Sequence, residues 1–593
     1  MKKKAGFYHQ NYLEPMKLNL IKLVIFFLLT SCVNQYKNND EWVGDAYSGF
    51  AQYQSVLGKK YMIATSEKIA SEVGAEILKK GGNAVDSAIA VQMILNVIEP
   101  HSSGIGGGLF LVYYDHKTKK TIYFNGRETS PAKSYPELFL DKNGKPKNFY
   151  DVVTTPLSVA TPGALYALKQ AHQKYGKMKW SELFLPAIKI AKEGFKMSPK
   201  IYANLKNIKH LSNAEDLKVY FDQNNQPKKI GTIIYNFKLA ETFEKIAKNG
   251  IKVFYEGKIA NNIESTLQNS GEIKGLLTKN DLKNYRSKTG NLLCQKYRQK
   301  YKICSMPLPS SGGVTILQTL GILENFDLTK YPINSSKYIH LVAEATKLAY
   351  ADRNFYLGDI KNMKLEKLLE KKYLKQRADL INLSQANAQV KNGEIPELMP
   401  QEIYQANFEK PSTTHISIVD KYGNGVAMTS SIELQFGSTI MVDGFLLNNQ
   451  MTDFAFQPKI DGKMVANRIE PNKQPLSSMS PTLVFDENNK LILVLGSPNG
   501  PRIIQHVLKV LIACLDYKMD VQEAISLPNF IALNNKLELE KNSEIINLKK
   551  PLQNLGHFVK IIDITSAIQA IKIENNKIYG GADPRRQGVA KGN

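Results

Sequence analysis

Strand character begins abruptly at Thr413 and folds back on itself. The run TTHISIVD, the turn KYGN and the run GVAMTSS read as one β-hairpin, because β-branched residues flank a cluster of turn formers. Pairing Asp420 with Gly425 sets a register that lays Thr413 beside Ser431 and Ile432. Two hydroxyls therefore meet at the open end of the hairpin. A threonine hydroxyl is a poor nucleophile until a base sits beside it, and cutting the chain before Thr413 would supply that base as the residue's own α-amine. His415 lies two residues along the same strand and reads as structural support rather than as a general base.

The regions around this hairpin differ in pattern. Downstream, TLVFDENNKLILVLGS reads as a second hairpin around Glu487, Asn488 and Asn489, followed by a helix from Ile503. Upstream, MIATSEKIASEVGAEILKKGGNAVDSAIAVQMILNVIEP reads as two packed helices joined by a tight GGNA turn. Gly104 and Gly106 to Gly108 then lead into the strand LFLVYY, where glycines suit backbones passing closely. From about 150 to 290 amphipathic runs ending in glycine (YALKQAHQKYG, LFLPAIKIAKEGF, LAETFEKIAKNG) form a helical layer. The lysine- and glutamine-rich stretch 363–410 is expected to be an exposed loop, giving slack to a chain that must separate after cleavage.

At 593 residues the chain has ample apolar content for a large core. Its formal charge of +24 comes from lysines scattered along the sequence rather than gathered into a stripe, which argues against a nucleic-acid partner. The apolar run LNLIKLVIFFLL is short for a membrane span and ends in Leu29-Thr30-Ser31-Cys32. It resembles a bacterial lipoprotein signal, which implies export to the periplasm or cell envelope and a lipid on Cys32. Residues 1–32 would then be the signal and 33–57 a polar linker. An exported chain can form disulfides, and a hairpin around Arg298 and Gln299 would permit one between Cys294 and Cys304; two free buried thiols are the expected state, with Cys514 in the core. With nine dispersed histidines, no HExxH and no CxxC, no metal site is expected.

The segments GGNAVD, EPHSSGIGGG, Gly126-Arg127-Glu128, PSSGG, TTH, LLNNQMTDF, PLSSMSP and GSPNGPR occur in consistent order after the linker. As an ordered set they resemble the γ-glutamyltransferases (γ-glutamyltranspeptidases, glutathione hydrolases), proenzymes of the N-terminal nucleophile hydrolase type. The resemblance implies an α+β fold, a four-layer αββα sandwich built from two chains after self-cleavage between Ser412 and Thr413. The large subunit would span 58–412 and the small one 413–593. Thr413 would be the nucleophile, supported by Ser431, with an oxyanion turn at Asn499 and Gly500. Arg127, Ser477 and Ser478 would hold the α-carboxylate of a γ-glutamyl group, and Glu433, Gln450 and Asp453 its α-ammonium. The implied donors are glutathione and related γ-glutamyl compounds, and the implied acceptors are water, amino acids or peptides. No cofactor is implied.

The chain departs from the family pattern at several points. Ser431 stands where a second threonine is usual, Glu433 where an asparagine is usual, and Asn499-Gly500 where two glycines are usual. The stretch between Asp453 and Ser477 is shorter than in familiar members, which implies a reduced lid. Glu433 motivates a second reading, an acylase for glutaryl-like side chains or for poly-γ-glutamate. A third is a non-catalytic surface lipoprotein, against which the cleavable threonine and its surrounding residues argue.

Overall fold

The computed structural model describes residues 54–207, 215–360, 362–398, 412–460, 462–533 and 535–593. The signal-like run, Cys32 and the linker up to residue 53 lie outside the described residues. Among those described, no helix is long and apolar enough to cross a membrane.

Two seven-stranded sheets lie face to face. One runs, in spatial order, through Val589–Gly592, Met62–Thr65, Thr414–Val419, Gly425–Ser431, Gly108–Asp115, Lys120–Gly126 and Lys288–Gly290. The other runs through Val56–Gly58, Lys577–Ala582, Gln569–Glu574, Leu491–Gly496, Thr482–Phe485, Tyr301–Ser305 and Leu293–Tyr297. The period-two alternation of side chains decides what each strand buries. In the strand opened by Thr414, Ile416 and Ile418 join the helix-facing core with Val85, Ile89 and Leu111. Val419 points the other way, into the layer between the sheets, with Ala427, Leu483, Val494 and Ile571. Both faces are covered, so the strand is buried throughout.

Helices complete the outer layers. Lys68–Lys79 and Ala84–Ile98 cover the first sheet, joined as expected by a tight turn in which Gly81 has φ 99° and Asn83 closes a capping box with Asp86. Gly312–Leu323 and Ile503–Leu515 cover the second sheet through Ile316, Leu320, Val507 and Leu511. The result is the four-layer αββα sandwich. The helical layer between 150 and 290 is present as Ala164–Tyr175, Leu185–Glu193 and Phe237–Asn249, and the last two end at left-handed glycines, Gly194 and Gly250. A Cβ on Gly106 or Gly107 would run into the carbonyl oxygens of Leu446 and Ser431, so these glycines serve close backbone approach.

Three expectations are corrected. The central hairpin pairs Val419, not Asp420, with Gly425, because the Asp420 carboxylate accepts from the backbone N–H of Tyr422 and Asn424 and draws Asn424 into the turn. Thr414 therefore faces Ser430, and the same register continued places Thr413 opposite Ser431 rather than Ile432. Cys294 and Cys304 are joined by a disulfide, since the hairpin sets them directly opposite each other with Arg298 and Gln299 at positive φ in the turn. The stretch after 363 is not all loop: Lys371–Ala378 is a helix that buries Tyr373, Leu374 and Arg377. Arg377 donates to the carbonyls of Leu348 and Lys391, which ties the following segment to the body. Residues 399–411 lie outside the described residues.

Candidate active site

Thr413 enters the first sheet from the inter-sheet side, at the mouth of the hairpin. Its Oγ1 hydrogen bonds to the carbonyl oxygen of Ser412 and lies 3.2 Å from Ser431 Oγ. Ser431 Oγ donates to the same Ser412 carbonyl at 2.9 Å and accepts from the Glu433 N–H at 2.9 Å. One peptide carbonyl is thus polarised by a hydroxyl while a second hydroxyl sits against it. His415 takes no part: its ring nitrogens bond Thr429 Oγ1 at 2.8 Å and Ser417 Oγ at 3.0 Å, and burial pushes its pKa down to about 3. The ring lies where Gly496 leaves room, so it is a neutral inter-sheet packing group.

A small pocket opens beside Thr413, lined by Arg127, Ser431, Glu433, Gln450, Asp453, Ser477 and Gly500. It measures about 20 Å³, room for a water but not for a glutamyl group. Arg127 is buried and reaches it from the end of the strand Lys120–Gly126. Its Nη2 meets Asp453 Oδ2 at 2.5 Å and the Leu476 carbonyl at 2.9 Å, while Nε donates to Pro475 O at 3.1 Å. Gln450 Nε2 donates to the same Asp453 oxygen at 2.7 Å, leaving Gln450 Oε1 without a hydrogen bond among the described residues. That oxygen suits an ammonium. Burial pushes the Asp453 carboxyl up while Arg127 pulls it down. Glu433 takes φ 77°, and its carboxylate accepts from Asn449 Nδ2, which braces it at the pocket wall.

Two expected site residues stand apart from this lining. Ser478 Oγ accepts from Arg353 Nη2 at 3.0 Å, and Asn499 lines a neighbouring cavity instead. Asn499 and Gly500 have φ 106° and 54°, so the turn does demand left-handed backbone, and asparagine is the non-glycine residue that tolerates it well. The PSSGG segment backs the serine pair: Ser311 N–H donates to Ser477 O at 2.8 Å, and Ser477 N–H to Pro309 O at 3.0 Å.

Residue-by-residue reading missed Glu128, although it lies in the Gly126-Arg127-Glu128 segment. Its carboxyl is fully buried 3.5 Å from Arg127 Nη1, and burial raises its pKa to about 8 against the pull of that cation. A carboxyl raised from 4.5 to about 8 contributes stability that is complete below pH 4.5 and is lost as pH rises through 8. Denaturant melts across that window are expected to show the wild type losing on the order of 5 kcal/mol more than Glu128→Gln, which cannot ionise. His340, Glu344 and His557 also come together, within 4.8 Å. Lys347 Nζ meets Glu344 at 2.7 Å, and His340 Nδ1 and His557 Nε2 are 2.8 Å apart, so a cation there would meet the Lys347 ammonium.

The arrangement has the parts for acyl transfer: a hydroxyl on a residue whose nitrogen would become a free α-amine if the chain were cut before it, a left-handed turn beside it, and a pocket of paired charges. The family model described as Gamma-glutamyltranspeptidase matches residues 70–593. The glutathione hydrolase proenzyme of Bacillus subtilis (strain 168) is 38% identical over 558 residues, covering 92% of this chain and 93% of that one. The glutathione hydrolase proenzyme of Escherichia coli (strain K12) is 38% identical over 547 residues, covering 90% and 92%. Among solved structures, the cephalosporin acylase from Bacillus halodurans is similar with a TM-score of 0.80 at 25% identity, covering 91% of this chain and 97% of that one. Motif order, sandwich and relatives agree, and the chain belongs to the γ-glutamyltranspeptidase family.

Proposed function

We propose that the chain is a proenzyme that cuts itself between Ser412 and Thr413 and then transfers γ-glutamyl groups from glutathione and related amides to water, amino acids or peptides. The observation that carries this reading is the contact of Thr413 Oγ1 with the Ser412 carbonyl, whose oxygen also accepts from Ser431 at 2.9 Å. In maturation the Thr413 hydroxyl adds to the Ser412 carbonyl carbon, its proton passes to the Thr413 nitrogen, and the C–N bond breaks to leave an ester. Water hydrolyses that ester, yielding a carboxylate at Ser412 and a free amine at Thr413. The products are a large subunit of 58–412 and a small subunit of 413–593.

In the mature site the α-amine accepts the Thr413 Oγ1 proton as the oxygen attacks the γ-carbonyl carbon, and it returns that proton to the departing amine. Backbone N–H groups of Asn499 and Gly500 serve the oxyanion. Arg127, Ser477 and Ser478 hold the α-carboxylate, and Glu433, Gln450 and Asp453 the α-ammonium. Water or an acceptor amine then resolves the γ-glutamyl ester. The signal-like run ending at Cys32 supports export and a lipid anchor in the cell envelope.

A second reading, a glutaryl-type acylase, is favoured by the likeness to the cephalosporin acylase and by the extra charge of Glu433. Relatives at 38% identity favour the γ-glutamyl reading over it. Turnover of γ-glutamyl and glutaryl anilides separates the two. The γ-glutamyl compound is expected to react faster, and Glu433→Gln to raise its KM about tenfold by removing an ammonium partner. Faster glutaryl turnover would overturn the assignment.

A further inference from the structure

Where the family usually has two glycines, the turn at Asn499 carries a side chain, and both ends of its amide are bonded. Asn499 Oδ1 accepts from Arg586 Nη2 at 3.1 Å, and Nδ2 donates to Thr565 Oγ1 at 3.4 Å. The same guanidinium reaches Thr413, with Nη1 donating to Thr413 O at 3.3 Å. One planar fork thus spans the residue that brings the hydroxyl and the turn beside it.

Arg586 is itself held in place. Its side chain is 8% exposed, and its N–H donates to Asp583 O at 3.3 Å. Asp583 Oδ2 accepts from the Ile568 N–H at 3.0 Å, and the neighbouring Arg585 grips Glu540 through Nε at 2.6 Å and Nη2 at 2.9 Å. Glu99 Oε1 lies 3.9 Å from Arg586 Nη1 and 3.2 Å from Lys200 Nζ, while Ser66 Oγ donates to the other Glu99 oxygen at 2.8 Å. The guanidinium therefore has a carboxylate near its charge and a neutral acceptor on each arm. Its geometry, more than its charge, is what Thr413 and Asn499 use.

Acyl transfer depends on how closely the attacking oxygen and the oxyanion donors are held to one geometry. A glycine at 499 would adopt φ 106° freely but would offer Arg586 nothing to hold. We propose that Arg586 is a positioning residue, which sets the Asn499–Gly500 turn against Thr413 through the Asn499 side chain, so that this chain relies on asparagine where glycine is usual. Neither Arg586 nor Asn499 lines the pocket of paired charges beside Thr413. Loss of the bridge therefore falls on kcat and spares the donor KM.

The inference rests on the γ-glutamyl transfer reading. The test measures hydrolysis of a γ-glutamyl anilide by four mature two-chain enzymes: wild type, Arg586→Lys, Asn499→Gly and the double variant. Lysine keeps the charge, but one ammonium cannot bond both acceptors as the fork does. Each single variant is expected to lower kcat about tenfold with the donor KM within about twofold. The double variant is expected to be no more than about twofold slower than the slower single one, because both changes break one bridge. Effects that multiply to about 100-fold in the double variant would overturn the proposal. So would wild-type kcat in either single variant, or a loss carried by KM. If a variant stays uncut, its denaturant midpoint is compared with that of uncut Thr413→Ala. An equal midpoint supports positioning, since the Thr413 hydroxyl also attacks in maturation; a lower one assigns the bridge to folding and overturns it. Failure of the wild type to release the anilide would instead overturn the transferase reading.

Discussion

Thr413→Ala is expected to leave the chain in one piece and to lower γ-glutamyl hydrolysis by at least about 10⁴-fold, because on the proposed mechanism the substitution removes the oxygen that attacks in both reactions. The two effects have separate readouts, a denaturing gel for cleavage and anilide release for turnover. Thr413→Ser keeps the hydroxyl and is expected to mature, more slowly, since the lost methyl lets the Oγ rotate away from the Ser412 carbonyl. The core should tolerate either change: Thr413 sits at the rim of the inter-sheet layer rather than among the apolar residues that hold the sheets together. A two-fragment gel from Thr413→Ala would remove the Thr413 hydroxyl from maturation.

Arg127 carries the second large effect. Its guanidinium is 1% exposed and bonds Asp453, Pro475 and Leu476 at once, so it fixes the pocket, and on the proposed assignment it also offers charge to the donor carboxylate. Arg127→Lys keeps the charge but loses the planar fork, and kcat/KM is expected to fall about 10²-fold, mainly through KM. Arg127→Ala leaves Asp453 buried without its cation and is expected to cost about 3–5 kcal/mol of stability besides activity. Donor-concentration curves and denaturant melts separate the two. A Lys variant with wild-type KM would remove Arg127 from donor binding.

Much of this arrangement was legible before any coordinates, for physical reasons that differ by element. β-Branched residues and a turn mark the strand at Thr414–Val419, yet its register differs by one residue from the pairing of Asp420 with Gly425. Register depends on which turn residue the Asp420 carboxylate captures, and residue types alone do not show that. The helix Lys371–Ala378 was hidden by its lysines: only Tyr373, Leu374, Arg377 and Ala378 are buried, too few for a clear apolar stripe. The disulfide hinged on whether Cys294 and Cys304 pair directly, again a matter of register. Most residues of the pocket beside Thr413 lie in ordered motifs, each short and local. By contrast Glu99, Lys200 and Arg586 come from three distant segments, the last two outside any of those motifs, and only the folded chain brings them to the Ser412–Thr413 bond.

The central claim is that Thr413 becomes a free N-terminus and then carries the acyl group. Mass spectrometry of the purified protein, before and after a brief exposure to a γ-glutamyl donor, tests it most directly. The expected result is a small fragment whose first residue is Thr413 and which gains the mass of one glutamyl group on that residue. A single uncut chain, a fragment starting elsewhere, or a glutamyl group on another side chain would contradict the account.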